Sequence, residues 1–92
     1  MGQESAIESA CRDYAWTKHK VQSLKLGSRI GIPDRIFLHK SRAMFIEFKA
    51  PGELPRPAQV HQQKLLIKEG FLVANISSVS KFKEIIDKWV SL

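Results

Sequence analysis

"DRIFLHKSRAMFIEFKAPG" occupies residues 34–52 and decides how the rest of the chain is read. Residues 34–40 and 43–50 are rich in β-branched and aromatic side chains, and "HKSR" between them has the polarity of a turn. The stretch is therefore expected to form a β-hairpin, with 43–50 as its more buried strand. Side chains alternate along a strand, so Ile46 and Phe48 share one face while Glu47 and Lys49 share the other. Ionised groups resist burial, so a carboxylate and an ammonium at the end of an apolar strand need a reason. In an antiparallel hairpin the start of one strand lies beside the end of its partner. Asp34 is thus expected next to Glu47, and two carboxylates and a lysine converge at one end of a sheet.

Outward from the hairpin, other elements can be assigned on both sides. Residues 4 to 18 repeat apolar side chains at helical spacing (Ile7, Ala10, Cys11, Tyr14, Ala15). "VQSLKL", 21–26, alternates as a strand, and "GSRIGIPD", 27–34, is a loop holding two glycines and a proline. On the other side "PGELPRP", 51–57, is a loop with three of the four prolines in the chain. Pro57 suits the first turn of a helix and Gly70 its end. "FLVANI", 71–76, reads as a short strand. Ser77 or Ser78 then caps a last helix whose stripe is Phe82, Ile85, Ile86, Trp89 and Val90. The expected fold class is α/β, in the order α-β-β-β-α-β-α. A three-stranded meander and a helical crossover to a fourth strand give a mixed central sheet flanked by helices.

Composition limits the function classes. Ninety-two residues point to a single domain, 1–92, with one modest core. Fifteen Lys and Arg against nine Asp and Glu give a net charge of +6, which favours a polyanionic partner such as nucleic acid. The single cysteine, Cys11, excludes an intrachain disulfide and a cysteine-based zinc site, and is expected to be a packed core side chain. No apolar run is long enough to span a membrane. "MGQESAIESA" has acids and no apolar signal core, so secretion is not expected.

The chemistry follows from the three charged groups. Two carboxylates can hold Mg²⁺, a hard cation that takes oxygen ligands and keeps several waters. Such a metal polarises a phosphoryl oxygen and acidifies bound water, and a nearby lysine offsets charge on the attacked phosphate. A lone Glu-x-Lys is usually a surface ion pair. Its combination with Pro33-Asp34 at hairpin distance, the basic chain and this element order is what gives it meaning.

"GIPDRIFL…FIEFKAPG" resembles the PD-(D/E)XK nuclease motif. "GIPDR", "KAPG" and the Pro-x-Gln at 57–59 are similar in particular to the small stand-alone VRR-NUC domains (virus-type replication-repair nucleases) of bacteriophages and bacteria. The resemblance runs from the first helix to the last. It implies a restriction-endonuclease-like core and a metal-dependent DNA endonuclease using Mg²⁺, for which Mn²⁺ can substitute. Asp34, Glu47 and the Phe48 carbonyl would be metal ligands, and Lys49 the catalytic lysine. A first-helix glutamate would assist through water; Glu4 and Glu8 both fit, with Glu8 preferred. Gln59 would line the site. The resemblance further implies a homodimer cutting Holliday junctions or other branched DNA, in the cytoplasm of a bacterial or phage-infected cell. The competing readings are a flap, nick or general nuclease, and a non-catalytic DNA-binding module.

Other residues carry weaker expectations. Lys25, Arg29, Arg35 and Lys40 are expected to flank the site as candidate phosphate contacts, with Arg56 and Lys64 as weaker candidates. His19, His39 and His61 lack zinc-site spacing, and His61 is expected to be a surface imidazole. Gln62 and Gln63 are expected to be exposed on their helix. Tyr14 and Trp16 are the expected dimer face.

Overall fold

The computed structural model describes residues 2–27 and 29–92. The hairpin forms where the sequence places it: β2 is Arg35–His39 and β3 is Arg42–Phe48. They pair antiparallel with Arg35 opposite Ile46 and His39 opposite Arg42. That leaves two residues for the turn, Lys40 and Ser41, at φ 49° and 65°. Positive φ at both central positions matches the twist of flanking strands, and here it is reached without the usual glycine.

The remaining elements are α1 (Gln3–His19), β1 (Gln22–Lys25), α2 (Pro57–Lys68), β4 (Leu72–Ile76) and α3 (Val79–Val90). The sheet order is β1-β2-β3-β4. β1 pairs antiparallel with β2, whereas β4 joins β3 in parallel after the α2 crossover. This is the mixed α/β sheet with flanking helices that the pattern of elements predicts, and the architecture is restriction-endonuclease-like.

One face of the sheet carries the core. Phe37, Met44, Ile46, Phe48 and Ile76 are buried against Cys11 and Ala15 of α1 and Phe82, Ile86 and Trp89 of α3. The Phe37 and Phe82 rings meet at 5.1 Å between centroids. Each such buried ring contributes about 1.5–3 kcal/mol, so this layer holds the sheet in place. Burial pushes the Cys11 thiol up to about 12, which makes it an inert packed side chain. The stripe expected on α3 faces this core, with Ile85 and Val90 at its edge.

Capping explains the helix limits. Ser78 caps α3, its Oγ accepting from Lys81 N–H at 3.2 Å. Pro57 opens α2, and Gly70, at φ 95°, follows its end. At the far end from β3's carboxyl terminus, α1 is strapped to α3. The Asp87 carboxylate accepts from Tyr14 Oη at 2.8 Å and lies 2.7 Å from His19 Nε2. Those neighbours and Lys18 hold Asp87 below its ordinary range. Tyr14 is thus part-buried and bonded within the chain, whereas Trp16 is 55% exposed. No helix among the described residues is long and apolar enough to cross a membrane.

Candidate active site

The second sheet face holds the polar constellation. Glu47 lies at the carboxyl end of β3, between β2 and β4, and is only 3% exposed. α2 covers it. Gln59, one turn into α2, donates from Nε2 to Glu47 Oε2 at 2.6 Å. Its own Oε1 accepts from the Arg56 N–H at 2.8 Å. This is half of a capping box, since an arginine side chain has no acceptor to return the bond. Gln59 therefore caps the start of the helix and orients the carboxylate with one amide.

Lys49 stands just past the strand, with Nζ 3.5 Å from Glu47 Oε2. Its backbone N–H donates to Ile76 O at 2.8 Å, so the parallel pairing of β4 fixes where the lysine leaves the sheet. Asp34 sits across the hairpin, one residue before the Arg35–Ile46 pair. Its Oδ2 accepts from the Phe48 N–H at 2.7 Å. Asp34 is thereby aimed at the same end of the sheet.

Glu8 reaches the site from α1. Lys25 Nζ donates to both of its oxygens, at 2.9 and 2.8 Å, and Arg35 Nε donates to Oε2 at 3.0 Å. Arg35 also donates to Ser23 Oγ at 3.0 Å. The two helix glutamates differ in their partners: Glu8 is bonded to Lys25 and Arg35, while the Glu4 carboxylate is turned toward Gly2. Arg35 is placed as a brace for Glu8 rather than as a free phosphate contact. Lys25 braces Glu8 too, yet remains half-exposed and lies 4.0 Å from Asp34 Oδ1.

Asp34, Glu47, Lys49, Gln59, Glu8 and Glu4 all line one open polar cavity of about 290 Å³. Phe48 lines it as well, although its ring is in the core, so its contribution is main chain. Arg56 and Glu53 form the loop side. Arg29 is exposed and lines a separate apolar cavity with Leu26, Ile32 and Phe45. His61 and Lys64 are exposed on α2, as expected for surface side chains.

Gln63 is a correction: it is 8% exposed and pairs reciprocally with Asn75, Nε2 to Oδ1 at 2.8 Å and Nδ2 to Oε1 at 3.0 Å. Gln59 and Gln63 are one turn apart on α2, and their partners Glu47 and Asn75 face each other across β3 and β4. The inward face of α2 is therefore an amide face. The i, i+4 spacing of Gln59 and Gln63 was the available signal.

The electrostatics point to a missing positive charge. Burial raises the affinity of Glu47 for a proton, and the Asp34 charge raises it further. Lys49 opposes both. The Asp34 backbone N–H also favours the charged form, without a hydrogen bond of ordinary geometry to Oε1. Oε1 is buried with no partner. A buried carboxylate oxygen without a donor is costly, and a divalent cation would satisfy it. Among the described residues no three His, Cys, Asp or Glu side chains close into a metal cage. The donor set is two carboxylates and main chain beside an open cavity, which suits a cation that keeps waters.

No family model matches the chain, and no curated protein matches it. A solved structure titled "VRR_NUC domain" superposes with a TM-score of 0.82 at 21% identity, covering 95% of this chain and 97% of that chain. The fold is that of a VRR-NUC domain. The VRR-NUC likeness thus covers nearly the whole chain.

The raised proton affinity of Glu47 has a sign that can be checked. Its charged form is disfavoured in the fold, so stability falls as pH rises from below about 4.3, the ordinary glutamate value, through the raised one. Glu47→Gln removes this penalty. In metal-free buffer at pH 7 the variant is expected to melt several degrees higher, with the difference vanishing near pH 4. Mg²⁺ should raise the melting temperature of the native chain and leave the variant unmoved. A variant that melts lower than the native chain at pH 7 contradicts this reading.

Proposed function

We propose that the chain is a metal-dependent DNA endonuclease that hydrolyses phosphodiester bonds. The observation that carries this is the convergence of Asp34, Glu47, Lys49 and Gln59 on one cavity, with Glu47 Oε1 buried and unpartnered. The VRR-NUC fold and the net charge of +6 support it.

In this reading Asp34, Glu47 and the main chain at Phe48 hold Mg²⁺, or Mn²⁺ in its place, and Glu8 assists through water. The metal supplies Lewis-acid polarisation of the phosphate and a water of lowered pKa. The protein does the rest. Gln59 and the Phe48 N–H fix the two carboxylates, so little reorganisation remains when substrate arrives. Lys49, held beside Glu47, offsets charge that builds on the phosphate as water attacks and the P–O bond breaks. Lys25 and Arg35 hold Glu8 in place.

For substrate we propose branched DNA, Holliday junctions included, cut by a homodimer. Two copies bring two sites to a substrate with two-fold symmetry. Phe71 and Leu72, adjacent and exposed where β4 begins, offer apolar surface for pairing.

Asp34→Asn, Glu47→Gln and Lys49→Ala are each expected to lower cleavage of a labelled four-way junction by at least about 10²–10³-fold, while junction binding changes little. EDTA should abolish cleavage and Mg²⁺ or Mn²⁺ restore it. Native-rate cleavage by Glu47→Gln would refute the site, and binding without products would favour a non-catalytic module. A comparison of junction, flap, nick and linear duplex identifies the preferred shape.

Sedimentation should give twice the 10.5 kDa chain mass. A strict monomer would shift the reading to flap or nick cleavage.

A further inference from the structure

Two connections leave the sheet at the same end as the cavity. The first joins β1 to β2. Its neck is closed by Leu26 N–H donating to Asp34 O at 3.0 Å, and its tip by Ile32 N–H donating to Arg29 O at 3.2 Å. Ile30, at that tip, is 90% exposed. The second joins β3 to α2 and carries Leu54, 83% exposed, between the cavity-lining residues Glu53 and Arg56. Single apolar side chains at a surface are ordinary. These two are distinguished by their place: both lie in connections at the cavity end of the sheet, Ile30 next to Arg29 and Leu54 two residues before Arg56.

Neither tip is free to fold back. Gly31 has φ +85°, and a Cβ there would lie 2.5 Å from the Ala58 carbonyl oxygen. The first loop is therefore seated directly on the opening turn of α2, next to Gln59. The second loop is braced by Glu53, whose N–H donates to Ala50 O at 3.0 Å and whose Oε1 accepts from Ala50 N–H at 2.8 Å. Pro51, Pro55 and Pro57 stiffen it further.

We infer that Ile30 and Leu54 are aliphatic wedges that enter opened base steps of the DNA whose phosphodiester lies in the cavity. The inference rests on the nuclease reading above and assigns residues to its choice of DNA shape. An aliphatic wedge gains by leaving water and loses by separating stacked bases. The loss is smallest where stacking is already interrupted, at a branch, nick or gap. Continuous duplex is then the poor substrate. Arg29 and Arg56 beside the tips suit the phosphates that flank such a step, and this charge favours nucleic acid over an apolar protein partner.

The test places the fluorescent base 2-aminopurine at the branch of a four-way junction, and at the centre of a continuous duplex, with native protein in EDTA. Binding is expected to raise fluorescence at the branch about twofold or more and leave the duplex unchanged. The Ile30→Ser/Leu54→Ser protein should lose that rise and bind the junction about tenfold more weakly, with duplex affinity unaltered. Both side chains are exposed, so the fold should persist, and a melting curve checks it. A rise and a junction preference that survive in the double variant overturn the wedge while leaving the nuclease reading intact. A double variant that only loses self-association, with fluorescence unchanged, assigns the tips to a second copy and also overturns it. Failure of native protein to bind or cut any DNA overturns both readings.

Discussion

The burial of one carboxylate organises this molecule. Glu47 sits in the second of the two inner strands of the sheet, roofed by α2, with one oxygen bonded and the other bare. Around it each neighbour has a defined task. The hairpin register delivers Asp34, the parallel pairing of β4 fixes the exit of Lys49, and Gln59 joins the helix cap to the carboxylate. Displacing α2 by one residue would remove the Gln59 bond and the Gln63–Asn75 pair together.

The two faces of the sheet divide the labour. The Phe37, Met44, Ile46 and Phe48 face packs against α1 and α3 and supplies the apolar burial. The Glu47 face is poorly covered by apolar groups: α2 buries an amide inward and leaves Leu65 and Ile67 substantially exposed. A domain of 92 residues has little stability to spare. Concentrating the core on one face leaves the other free to carry a buried carboxylate and its polar neighbours.

What the sequence disclosed follows from how local each signal is. Strand alternation and hairpin register are short-range, so Asp34, Glu47 and Lys49 could be brought together on paper, as could the Phe82–Trp89 stripe. Gln63 could not be recognised as buried from composition, because an amide on a helix ordinarily faces water; only its partner Asn75, from another element, makes the inward position tolerable. The choice between Glu4 and Glu8 depended on where β1 and β2 place Lys25 and Arg35, a tertiary fact. Arg35 shows the same limit. Its strand position was legible, and its engagement with a helix glutamate was not. The Lys40-Ser41 turn was legible as polar, yet its positive φ values carry no glycine to announce them.

The bare oxygen of Glu47 is proposed to be a cation ligand. Crystals grown with Mn²⁺ and measured for anomalous scattering test it most directly. The account predicts a peak in contact with Glu47 Oε1 and an Asp34 oxygen, absent from Glu47→Gln crystals. A native structure with full Mn²⁺ exposure and no peak there, or with Oε1 satisfied by a protein donor instead, would contradict it.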